Sequence, residues 1–65
     1  MEYTNSQIKA LIEEYIHSRR DRIVMVARLV DGFTMEQIAE LVEMSPRQVR
    51  TIIHRCETEL FKHCP

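Results

Sequence analysis

The 65-residue chain has room for one domain at most, and a chain this short buries only about 60% of the surface it exposes when unfolded. Its 45% hydrophobic content, with one glycine and two prolines, suits a compact helical fold rather than a disordered tail and leaves room for oligomerisation as a stabiliser. The formal net charge of −1 nominates no polyanionic partner in bulk, but the charge is unevenly spread: −2 over residues 1–18, +2 over 19–32, −3 over 33–44 and +2 over 45–65, a distribution that can give the molecule one basic face.

Four helices are expected, in an all-α, four-helix domain. Thr4 with Gln7 three residues later reads as a capping box. Behind it Ile8, Leu11, Ile12, Tyr15 and Ile16 form one apolar stripe on a helix over residues 5–17, with Lys9, Glu13 and Glu14 solvated. Ser18 starts a second helix over 19–31, with Asp21 in its first turn. Its run of Ile23, Val24, Met25, Val26 and Ala27 reaches around much of a helix, so it is either the central buried helix or carries an additional contact surface. Gly32 is expected to take the left-handed position that stops it.

Thr34 with Gln37 makes another capping box before a short helix over 35–43, whose apolar residues are Ile38, Ala39, Leu41 and Val42, with Glu36 and Glu40 exposed. A break at Glu43-Met44 precedes the strongest start signal in the chain, Ser45, Pro46 and Gln48: serine cap, proline at the first helical position, glutamine at the third. Val49, Ile52, Ile53, Cys56, Leu60 and Phe61 then keep helical periodicity over 46–62.

Two capped helices separated by about three residues, the second longer, follow the plan of a helix-turn-helix. Ala39 supplies the small residue where the second helix crosses closely, Ile38 and Val42 the flanking apolar contacts, Met44 the buried turn residue, and Val49 and Ile52 the inward pair. Glu43 stands where such turns commonly carry glycine, so a slightly different turn is expected. With the inward set assigned, Arg47, Gln48, Arg50 and Thr51 become the candidate base contacts. A helix fits the major groove, where arginine suits guanine, glutamine suits adenine, and threonine suits a base edge or a thymine methyl. Candidate contacts to the DNA backbone are Ser45 with the helix N-terminus, His54 and Arg55, together with Arg19, Arg20 and Arg22 from "RRDR".

The stretch "LVDGFTMEQIAELVEMSPRQVRTIIHRCETEL", residues 29–60, resembles region four of bacterial sigma factors, the promoter-reading helix-turn-helix domain. It carries the pattern at Leu29, Gly32, Thr34, Ile38, Ala39, Glu40, Met44, Ser45, Val49, Arg50, Arg55 and Leu60, and departs from it at Gln37 and Gln48. The DNA-binding domain of LuxR-type regulators shares much of this pattern; the continuous helix through "HRCETELFKH" leans toward the sigma branch. The resemblance implies a recognition helix in the major groove, and assigns base-facing positions to Arg47, Gln48, Arg50 and Thr51. A working sigma factor also needs a separate promoter-melting and polymerase-binding domain, which 65 residues cannot hold. The expectation is therefore a small stand-alone transcriptional regulator of the kind found in prophages and mobile elements, binding double-stranded DNA as a homodimer. The alternative is a sigma-like module that docks on RNA polymerase or another regulator, favoured by the acidic 33–44 segment.

Other chemistries find no support. There is no glycine-rich phosphate loop, nucleophile elbow or metal-ligand spacing, and Glu57 and Glu59 point in different directions on a helix. No enzyme, cofactor or metal is expected. Cys56 and Cys64 are expected as free thiols in a reducing cytosol, and with His54 and His63 they match no standard zinc spacing. "MEYTNSQ" carries no signal-peptide pattern and Ile23–Ala27 is too short to span a bilayer, so a cytoplasmic location is expected.

Overall fold

The computed structural model describes residues 3–63. Cys64, one of the two expected free thiols, lies outside them. Four helices follow one another: α1 (Asn5–Tyr15), α2 (Arg19–Leu29), α3 (Met35–Val42) and α4 (Pro46–Phe61), and no strand occurs among the described residues. Every expected start is in place. Thr4, Thr34 and Ser45 each form a complete reciprocal capping box with the glutamine three residues on, and the Ser18 hydroxyl accepts from the Asp21 amide. In each box a side-chain oxygen satisfies an amide that has no intrahelical acceptor.

The helix ends differ from expectation. α1 stops at Tyr15, two residues early, because the Arg22 guanidinium occupies the terminal carbonyls: its Nε donates to the Ile16 oxygen and its Nη2 to the Glu13 oxygen at 2.6 Å. α2 stops at Leu29, also two residues early. Gly32 does take a left-handed conformation (φ 72), but inside a wider loop, closed by the Asp31 amide on the Val26 carbonyl and the Phe33 amide on the Ala27 carbonyl. Arg28 Nη1 braces that loop through the Phe33 carbonyl at 3.1 Å.

The core is built from all four helices. Ile12 and Ile16 meet Val24, Met25 and Ala27 of α2, Ile38 and Ala39 of α3, and Val49, Ile52, Ile53, Cys56 and Leu60 of α4. No charged or polar residue is buried among the described residues. The apolar run of α2 is largely buried, at Val24, Met25 and Ala27, whereas Ile23 is 42% exposed.

Candidate nucleic-acid interface

α3 and α4 are joined by Glu43, Met44 and Ser45. Glu43 caps α3 in the left-handed conformation, φ 57 and ψ 45, and the Met44 amide returns to the Ala39 carbonyl at 2.9 Å. The turn is thus built in the backbone geometry that glycine adopts freely, with a glutamate bearing a conformational cost of about 1–2 kcal/mol. Ile38 and Ala39 are buried, and Met44 and Val42 are half-buried against the core.

At 3.6 residues per turn, the buried set of α4 occupies one arc of about 100°, and Arg47, Arg50, Thr51 and His54 occupy an opposite arc of about the same width. All four outward residues are exposed. The arginines of the protein divide sharply. Arg22 and Arg28 are bound to main-chain carbonyls, and Arg55 Nη2 pairs with Asp21 Oδ2 at 2.9 Å, tying α4 to the start of α2. Arg19, Arg20, Arg47 and Arg50 are exposed, and among the described residues their side chains have no hydrogen-bond or ion-pair partner.

Two residues expected at the DNA backbone also have partners within the protein. Two of the five Arg22 guanidinium donors are held by α1, at the Ile16 and Glu13 carbonyls. Ser45 also has no donor left: its amide donates to Gln48 Oε1 at 3.1 Å and its hydroxyl to the same oxygen at 3.3 Å. Pro46 has no N–H and the Gln48 amide donates to Ser45 Oγ, so the open donor in the first turn of α4 is the Arg47 amide. Arg55 keeps an exposed side chain, 66%, in spite of its ion pair. Thr51 Oγ1 donates to the Arg47 carbonyl at 3.2 Å, and Thr58 makes the same bond to His54.

Sequence alone did not reveal Asp21 as a partner of α4. It lies 34 residues from Arg55, and its first-turn position already accounts for an acidic residue. Nor did it reveal the stacking of His63 on Tyr15, with centroids 3.9 Å apart. Behind the ion pair, burial first and the Asp21 charge second push the Cys56 thiol above its ordinary value, so it is a neutral core group. Among the described residues, no group of three or more ligating side chains comes together to hold a metal ion, and no helix is long and apolar enough to cross a membrane.

A capped turn, a buried Ala39 on the first helix and an open basic face on the second make up a helix-turn-helix. The family described as sigma-70, region 4 matches residues 18–60, about two thirds of the chain. The chain belongs to the sigma-70 region 4 family. It is therefore a DNA-binding helix-turn-helix domain of a kind that functions in transcription. Domains of this family bind DNA and RNA polymerase, on a fold that is not enzymatic. No match was found among curated proteins or solved structures. The family match begins at Ser18, so α1 precedes it and joins the family core through Arg22 and the buried Ile12 and Ile16.

Proposed function

We propose that the protein is a sequence-specific transcriptional regulator that inserts α4 into the major groove of duplex DNA. The observation that carries this is the open face of α4, where Arg47 and Arg50 stand one turn apart with unengaged guanidinium groups. A guanidinium placed there finds bidentate partners in guanine O6 and N7. Arg47, Gln48, Arg50 and Thr51 take the base-facing roles. His54, Arg55, Arg19 and Arg20 take the backbone, and duplex DNA as the partner implies a cytoplasmic location.

A single recognition helix gives limited affinity, and we propose that two copies bind a two-fold-related operator, with half-sites about 34 Å apart. Support comes from the exposed Phe61 (64%) and Leu29 (37%), which flank a hollow shared with Tyr3, Ile8, Leu11 and Leu60. Sedimentation in the presence of a two-half-site duplex tests this: a complex of two chains is expected, and a single chain per duplex overturns the dimer. Contact with RNA polymerase is a second reading, favoured by the exposed Glu36, Glu40 and Glu43, which repel phosphate and suit a basic protein surface. Co-purification with polymerase without any shift of DNA would decide for it.

The principal test is selection from a random duplex library followed by titration at several salt concentrations. Enriched sites and a log–log salt slope of about −4, for four to five phosphate contacts, are expected. Equal, weak binding to all sequences, falling steeply with salt, would overturn sequence-specific recognition.

A further inference from the structure

The capping box that starts α4 also governs which base its second side chain can read. Gln48 Oε1 accepts from the Ser45 amide at 3.1 Å and from the Ser45 hydroxyl at 3.3 Å. A main-chain N–H can only donate, so the Gln48 atom facing it is the amide oxygen and not the nitrogen. Both lone pairs of that oxygen are occupied, and the Nε2 group, with two N–H donors and no acceptor, is what the exposed Gln48 has left to offer. Reading adenine in the usual way requires the opposite of this economy: one side chain must accept from N6 while donating to N7. The adenine amino group would instead meet the donors of Nε2 head-on.

We propose that Gln48 reads guanine, not adenine. Guanine offers O6 and N7 as adjacent acceptors in the major groove, a pair that matches the two N–H groups of a glutamine whose oxygen is held by its own helix cap. Thr51 has the complementary restriction. Its hydroxyl proton goes to the Arg47 carbonyl at 3.2 Å, so toward DNA it offers lone pairs and a methyl group, and no donor. Arg47, Gln48 and Arg50 form a surface of donors for guanine acceptors, and Thr51 is the member that fits a thymine methyl or an amino group.

This inference rests on α4 reading bases, and the test separates the two. Sites are selected from a random duplex library with the wild-type protein and with Gln48→Glu, a replacement that retains a capping oxygen at the third helical position and therefore the start of α4. The wild type is expected to select guanine at one position that the variant alters. There, 7-deazaguanine, which lacks the N7 acceptor, should weaken wild-type binding about tenfold. Gln48→Glu presents an acceptor in place of the donors, so its preference should move to cytosine and its sensitivity to 7-deazaguanine should vanish. Adenine at the Gln48-dependent position overturns the proposal, as does an identical selected site for both proteins. Failure of the wild type to enrich any sequence would overturn base reading by α4 altogether.

Discussion

The two faces of α4 were written under different rules. The inner face, Val49, Ile52, Ile53, Cys56 and Leu60, is dictated by the interior: each side chain is 7% exposed or less and touches residues from other helices. The outer face answers to nothing inside the protein. Among the described residues the Arg47 and Arg50 side chains have no hydrogen-bonding partner, Thr51 and His54 are exposed, and Gln48 is held only by the cap at the helix's own start. A helix divided this way can change its outer residues without changing how it folds. The residues on its flank, Arg55 and Gln48, are the exceptions that belong partly to each side.

Substitutions can sharpen or break this division. The largest effect should come from the inner face. Ile53→Ala removes a side chain 4% exposed and should lower unfolding free energy by about 2–5 kcal/mol, read by urea titration. The base preference of the remaining folded fraction should not change, and a changed preference would break the division. On the outer face, Arg50→Ala should leave the urea midpoint where it is, cost about 1–3 kcal/mol in binding and relax selection at one base pair in a mobility-shift series. A drop in stability of comparable size would show that Arg50 serves the fold. The smallest effect belongs to the hinge between the two helices. Glu43→Gly should stabilise the protein by about 0.5–1 kcal/mol, because glycine adopts φ 57 without strain and the gain exceeds its greater unfolded entropy. A destabilised variant in thermal melting would mean that the glutamate side chain contributes more than its backbone costs.

Helix starts were legible in the sequence because a capping box is a local object, complete within four residues; all three boxes and the Ser18 cap stand where the residue types placed them. The turn register was legible too, since a small residue, an apolar turn residue and two inward residues can be counted along the chain. Helix ends were less so. α1 ends where Arg22 takes its carbonyls, and a main-chain acceptor leaves no trace in side-chain identity. The same reason hid the fate of Arg22, which reads as a free cation beside Arg19 and Arg20. Asp21 and Arg55 meet across 34 residues, a distance at which nothing in spacing links an acid to a base. For Ser45 and Gln48, the residue types announced the cap, but only the geometry showed that the Ser45 donors are spent and that one amide oxygen takes two of its bonds.

The grip of Arg22 on α1 has a bearing on how such a domain can diverge. A guanidinium bound to peptide oxygens does not recognise the side chains that those peptides carry. The positions of Glu13 and its exposed neighbours on α1 can therefore drift, provided Ile12 and Ile16 keep filling the core and the helix keeps ending in the same place. The segment ahead of the family core is thus fastened by main-chain acceptors and two core isoleucines, and its exposed positions are free to vary while those contacts stay.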